Sequence, residues 1–431
     1  MSFTRSSVVR LLFWLLATAM LIFLAFNRHS KTGIYYYRSQ IFADKAGYYV
    51  YLPAALIYHF DAHAFPEKVD SLTGKGFQLD LHANKVITKY NYGVALLEFP
   101  FFMAAHLLST PLGFEDNGFS LIYHWALDLS AIFYLMMAFW LLFKWLSLSF
   151  SKKTTCLTLV ILFLGTNLFY YSILEGSMSH VYSFFLFATW ITLITGWKKY
   201  ANRPVIFGLL CGGIASMILL VRPVNVIFLM ATFFFQPGFA KRIRFQLHYR
   251  FIIPFLMVAV ILAFPQLAYW NYLSGDWLLY TYEGESFSNW ANPQLIPLLF
   301  APNNGLLIYN PVVIFIFIGL VWMIRDQKAN GYLILLATIL LIYASSAWWI
   351  WSFGCGYGVR NLVEYYTLLS IPLAWFLQNL MNGRRRLIFG ILILLFCLYN
   401  LKMIYSYGGC WFGDGTWDWD QYLHWLTNWP A

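Results

Sequence analysis

The stretch GVALLEFPFFMAAHLLSTPL, Gly93 to Leu112, decides the topology of this chain of 431 residues. It is long and apolar enough to cross a bilayer, which takes about 20 residues. If it does, the segment 146–154 with Lys152 and Lys153 falls outside, and every later basic cluster is inverted with it. If it lies at the interface or dips in from the outer side, the basic clusters agree. Arg5/Arg10, Lys152/Lys153, Lys198/Lys199/Arg203, Lys241/Arg242/Arg244/Arg250, Arg325/Lys328 and Arg384/Arg385/Arg386 then share the cytoplasmic side, as the positive-inside rule requires. We therefore read 93–112 as a juxtamembrane helix that does not span.

Working outward, apolar runs at 9–26, 120–145, 155–173, 178–197, 204–221, 223–237, 251–273, 305–324, 331–349, 364–381 and 387–406 predict about 11 transmembrane helices. The run 223–237 is short and needs tilt or a broken helix. The N-terminus is then cytoplasmic and the C-terminal tail, 407–431, outside. Arg5 and Arg10 before the first run imitate a signal peptide, but no small-x-small cleavage site follows and Asn27-Arg28-His29 closes the run, so it reads as an uncleaved first helix. The predicted fold class is an all-α integral membrane protein, one transmembrane domain over 1–431. Its long first outer loop, 27–119, is made of juxtamembrane helices broken at Pro53, Pro66, Pro100 and Pro111. A second outer loop covers 274–304, and a short one 350–363.

Composition excludes a soluble globular protein: 61% of residues are hydrophobic, 21% aromatic and only 11% charged, where soluble domains carry about a quarter charged. The net charge of +10 falls in short clusters between apolar runs, so it reports topology and not nucleic-acid binding. The five cysteines show no CxxC or CxxH spacing, and no structural metal is expected. Cys355 and Cys410 are the two cysteines placed outside, where an oxidising compartment permits a bridge that would tie the tail over the loop before Arg360; two free buried thiols are the alternative. P-loop, GxSxG, HExxH and dinucleotide fingerprints are absent.

Several polar residues fall on the outer side of this arrangement. Asp44, in Phe42-Ala43-Asp44-Lys45-Ala46-Gly47-Tyr48-Tyr49, is a carboxylate near the apolar boundary, where desolvation raises its proton affinity and suits it to general-base work. A solvated loop acid beside Lys45 is the plainer reading. Glu175 and His180 sit in the very short turn between the third and fourth helices, able to orient an acceptor or, with Asp44, to hold a divalent ion. Lys89, Arg360 after the glycines at 354, 356 and 358, and Arg222 at a helix end are the outer cations suited to a phosphate. For Arg222 and Arg360 the alternative is an anchor that snorkels to lipid headgroups. Glu283, with Asp276 and Glu285 among Trp277, Tyr280, Tyr282, Phe287 and Trp290, belongs to an aromatic and acidic loop of a kind that binds sugars, a pattern that equally describes an interfacial aromatic belt. Glu98, Asp128, His106 and His124 read as satisfied packing residues.

Three of these stretches resemble the GT-C superfamily of integral-membrane glycosyltransferases, the group of the protein O-mannosyltransferases and the lipid A aminoarabinose transferases. They are Asp44 followed by Tyr48-Tyr49-Val50-Tyr51-Leu52-Pro53; Thr88-Lys89-Tyr90-Asn91-Tyr92-Gly93, similar to a Lys-Pro-Pro-x-Gly element with Tyr90 and Asn91 in place of the prolines; and the Trp- and Gly-rich run Trp348 to Arg360. The resemblance implies a site facing the periplasm or lumen. It also implies a sugar donor carried on polyprenyl phosphate, and a lipid, glycan or protein acceptor. Asp44 and Glu175 are then the catalytic carboxylates, Lys89, Arg360 and Arg222 the donor-phosphate cations, and His180 and Glu283 the acceptor-orienting groups. Beyond the divalent ion no cofactor is expected, and no partner other than these substrates and membrane lipids. The compact loops point to a bacterial inner membrane. The competing function is a transporter or flippase for a lipid-linked sugar, which would carry repeats and deep ionisable residues.

Overall fold

The computed structural model describes residues 5–32, 39–236, 238–282, 284–381, 385–408, 410 and 417–428; Glu283 and Arg384 lie outside them. Each of the eleven apolar runs is helical in whole or in part. Five helices are by themselves long and apolar enough to cross a membrane: Gly93–Leu112, Leu121–Leu146, Pro204–Val221, Tyr249–Ser274 and Arg386–Ser406. The run 223–237 yields the short helix Val226–Phe233 after a turn at Pro223–Asn225. The run 305–324 is broken into Leu306–Tyr309 and Val313–Arg325 at Pro311, which cannot donate to the preceding turn. The chain is thus a multi-pass, mainly helical membrane protein. It divides into two compact units: residues 1–137, 171–182 and 266–281, and residues 138–170, 183–265 and 282–431.

In the first unit the outer loop folds into short helices, Asp44–Tyr49, Tyr51–Leu56 and Val69–Thr73. A two-stranded hairpin, Gln78–Asp80 against Lys85–Ile87, is the one departure from the all-α expectation among the described residues. Pro100 does not break the chain as expected: it lies inside the helix Gly93–Ser109. From the hairpin, residues 85–92 run antiparallel to the end of the helix Tyr249–Ser274. Lys85 Nζ donates to the Leu273 carbonyl (2.8 Å), the Thr88 amide to the Tyr269 hydroxyl (2.9 Å) and the Tyr92 amide to Gln266 Oε1 (2.9 Å). The helix Gly93–Ser109 then runs antiparallel to the start of Leu121–Leu146: the Leu97 carbonyl accepts from the Tyr134 hydroxyl (2.9 Å), and His106 Nδ1 meets the Tyr123 hydroxyl (2.7 Å). Glu98, fully buried, accepts from the Tyr182 hydroxyl at 2.9 Å. Asp128 accepts from the Gln40 amide at 2.6 Å. Around these, Tyr49, Phe77, Phe102, Phe119 and Tyr123 form a continuous buried core.

In the second unit glycine permits the closest helix crossings. A Cβ at Gly319 would stand 2.0 Å from the Pro372 carbonyl oxygen, so the helices Val313–Arg325 and Tyr366–Met381 meet backbone to backbone. The basic turns of this unit gather at one end of it. Trp145 Nε1 donates to the Thr195 hydroxyl (3.0 Å), the Trp197 ring packs against Phe245 (5.8 Å), and Gln236 and Asn330 exchange backbone and side-chain hydrogen bonds (2.7 and 3.0 Å). Trp375, 6.5 Å from the Phe150 ring, donates to Asp326 (3.2 Å).

Candidate functional site

Asp44 is half-buried and opens the helix Asp44–Tyr49 directly after Ala43, whose φ of 49° puts a residue bearing a Cβ in the left-handed region. That conformation is held from outside. The Ala43 amide donates to the Thr73 carbonyl (2.8 Å), and the Ala43 carbonyl oxygen would lie 2.0 Å from a Cβ on Gly76. Gly47, one turn on, would bring a Cβ to 2.5 Å from both the Gly76 oxygen and the Tyr90 ring. Small residues at 47 and 76 are therefore a condition for seating Asp44 where it is.

Lys45, its side chain only 3% exposed, places its ammonium 2.5 Å from Glu175 Oε2, itself 14% exposed. One turn along, the Tyr48 hydroxyl donates to Ser179 (3.2 Å) and its ring packs on Tyr90 at 4.1 Å. Gln40 Oε1 accepts from both the amide and the hydroxyl of Ser177 at 3.0 Å. The helix Asp44–Tyr49 and the segment leading into it are thus bound to the turn carrying Glu175 and His180 at three residues, Gln40, Lys45 and Tyr48. His180 is buried, its ring 4.7 Å from that of Tyr171. Lys89, half-buried beside Tyr90 (5.4 Å to the ring centre), has its carbonyl fixed by the Thr281 hydroxyl at 2.6 Å. Burial raises the Tyr49 phenol well above its ordinary pKa, so it remains a donor, here to the Gly118 carbonyl. The first unit therefore assembles Asp44, Lys89, Glu175 and His180 on mutually packed elements.

A divalent ion held by Asp44, Glu175 and His180 does not fit these residues. Among the described residues no three His, Cys, Asp or Glu side chains come together, and Glu175 already faces an ammonium, the wrong sign of neighbour for a cation's ligand.

Arg360 and Arg222 belong to the second unit. The loop 352–360 is tied through its carbonyls: Asn304 Nδ2 donates to Ser352 and Gly356 (2.9 and 2.7 Å), Asn167 Nδ2 to Tyr357 and Val359 (3.2 Å each), and the Tyr407 hydroxyl to Gly356 (2.8 Å). Cys355 and Cys410 are bridged, closing the tail over this loop as the outer placement of both cysteines allowed. Arg360 leaves the loop half-buried, its guanidinium 5.6 Å from the Phe353 ring centre. Arg222 is engaged from two sides, by Glu364 Oε1 (2.5 Å) and Asn361 Oδ1 (2.6 Å), and Asn361 also donates to Ser345 (3.1 Å). Through these bonds Arg222 clamps the turn next to Arg360.

The sequence reading passed over Lys45, Glu364, Asn167 and Asn304. Glu364 carried a usable signal, an acid at the start of an apolar run, where a partner is obligatory. The asparagines carried none, because their carbonyl partners lie over a hundred residues away in part: Asn167 and Val359 are separated by 192.

The fold of the chain is one met among solved structures. No family model and no curated protein matches its sequence. Among solved structures it is similar to the apo oligosaccharyltransferase of Archaeoglobus fulgidus, with a TM-score of 0.51 at 12% identity over 91% of this chain and 55% of that one. It is similar also to the archaeal oligosaccharyltransferase AglB of the same organism in complex with an inhibitory peptide and a dolichol-phosphate, with a TM-score of 0.50 at 12% identity over 97% of this chain and 60% of that one. The chain thus spans little more than half the length of these relatives.

Proposed function

We propose that this protein is a membrane glycosyltransferase that moves a sugar from a polyprenyl-phosphate donor to a hydroxyl of a lipid, glycan or protein acceptor. The observation that carries the reading is the seating of Asp44 in a GT-C-type fold. A half-buried carboxylate follows a strained residue and is locked by Gly47, Gly76 and the Lys45–Glu175 pair. Strain sustained by surrounding structure marks functional sites. That a relative binds a dolichol-phosphate supports a lipid-phosphate donor.

In this mechanism Asp44 takes the acceptor hydroxyl proton as its oxygen bonds to the anomeric carbon. The bond from that carbon to the phosphate oxygen breaks, and the lipid phosphate leaves as an anion. Lys89 is the cation assigned to that charge. Glu175, fixed by Lys45, and His180 and Glu283 are assigned to the acceptor.

The site faces the periplasm of a bacterial inner membrane, N-terminus inside. Two helices support this: Leu121–Leu146 is followed by Lys152/Lys153 and Tyr249–Ser274 is preceded by Lys241 to Arg250, so charge keeps those ends cytoplasmic. Their opposite ends, beside Asp44 and Lys89, are then outside.

The test is release of free polyprenyl phosphate by the protein in liposomes supplied with polyprenyl-phosphate hexoses or pentoses and an envelope extract. Asp44→Asn should abolish release while donor binding persists. Near-normal release by that variant would remove Asp44 from the reaction.

A further inference from the structure

Between Glu175 and Asp276 the chain contains no acidic residue but eight lysines and arginines. The structure sorts the eight. Arg222 is paired with Glu364. Arg242, buried, donates to the carbonyls of Thr232, Phe233 and Phe235 at the end of the helix Val226–Phe233, where a cation meets the negative pole of the helix. The other six, Lys198, Lys199, Arg203, Lys241, Arg244 and Arg250, are exposed.

These six come from two turns some forty residues apart, and the fold makes them one surface. Phe245, on the helix Phe239–Gln246, packs against Trp197 and Phe207 at 5.8 Å each. Phe207 in turn packs on Tyr200 (5.3 Å) and Phe251 (5.5 Å). A Cβ at Gly208 would stand 2.4 Å from the Phe251 carbonyl oxygen, so the two helices behind the patch are in backbone contact and fix its width. Beside the cations, Phe233, Phe234, Leu247 and Tyr249 expose between 43% and 70% of their surface. Inward aromatics, outward cations and a rim of exposed apolar side chains describe an element lying along a bilayer surface.

We infer that this face is a binding surface for anionic phospholipid headgroups, with acyl chains against the exposed aromatic rim. Charge complementarity singles out this occupant: six exposed cations with no acid in the intervening sequence call for an anion, and the apolar rim for one attached to hydrocarbon. The inference does not depend on the glycosyltransferase reading.

The test is native mass spectrometry of the full chain in detergent with equimolar phosphatidylglycerol and phosphatidylcholine of equal chain length. Phosphatidylglycerol should be retained preferentially. Each cation near a lipid surface contributes about 1 kcal/mol, or roughly fivefold in affinity. The variant Lys241→Gln/Arg244→Gln/Arg250→Gln should therefore lose about a hundredfold, and so should Lys198→Gln/Lys199→Gln/Arg203→Gln, each weakening the same lipids. All six side chains are exposed, and unchanged thermal unfolding of the variants would establish that they fold. Equal retention of the two lipids by the unaltered protein overturns the inference. So does a preference that survives all six substitutions. Displacement of the lipid by inorganic phosphate, but not by chloride of equal ionic strength, overturns it in favour of a free-anion site.

Discussion

Removing Arg222 should cost more than removing the acid it pairs with. Glu364 is fully buried while Arg222 keeps 17% of its side chain exposed. Arg222→Ala takes the guanidinium from a carboxylate that has no water to turn to, and breaking a buried pair in this way costs about 3–5 kcal/mol. Glu364→Ala leaves a cation that still bonds Asn361 and reaches solvent; losing its charged hydrogen bond to Glu364 costs about 1.5–3 kcal/mol. Arg222→Met with Glu364→Leu removes both charges and should recover part of the loss, because apolar replacement of a whole buried pair is close to neutral. Unfolding by SDS titrated into detergent micelles, followed through the thiols of buried Cys211 and Cys397 with exposed Cys156 replaced by Ser, measures all three. A Glu364→Ala variant as unstable as Arg222→Ala, or a double variant whose loss is the sum of the singles, would refute the reasoning.

Topology is tested by Lys68→Cys and Asp116→Cys, both at exposed positions flanking the helix Gly93–Leu112. They should label from the same side of intact membranes; labelling from opposite sides would make that helix a span. Gly319→Ala must push apart two helices in backbone contact and should destabilise by about 1–3 kcal/mol, the usual range for overpacking; an unchanged unfolding midpoint would contradict the crossing. Cys410→Ser should leave the fold intact while loosening the loop before Arg360, seen as faster hydrogen exchange of that loop's amides; unchanged exchange would deny the bridge that role. Lys45→Met leaves Glu175 without its ammonium and should lower the turnover of the liposome assay at least tenfold, and restored turnover with Lys45→Arg would tie the effect to charge.

Helices were legible wherever hydrophobicity alone decided them, because a bilayer demands long apolar runs. Placing Cys355 and Cys410 on one side permitted their pairing without requiring it, and the structure shows the bridge. What the sequence withheld were contacts between distant polar groups. Lys45 reads as a neighbour of Asp44, yet its partner is 130 residues away. Arg222 reads as a free outer cation until the turn at Asn361 is folded against it. Pro100 reads as a breaker because the local rule counts a lost amide bond; packing against the helix that begins at Leu121 outweighs it.

The path of residues 85–92 has a consequence for how the protein is made. Its backbone amides are satisfied by Tyr272, Tyr269 and Gln266, partners 186, 181 and 174 residues later in the chain. When the ribosome has produced this segment, none of those groups exists. Hydrocarbon tolerates irregular backbone only where protein covers it, so the segment must wait in water until the helix Tyr249–Ser274 has been inserted. The first loop to leave the translocon is thus among the last parts of the molecule to settle, and truncation anywhere before residue 266 should leave it accessible to added protease.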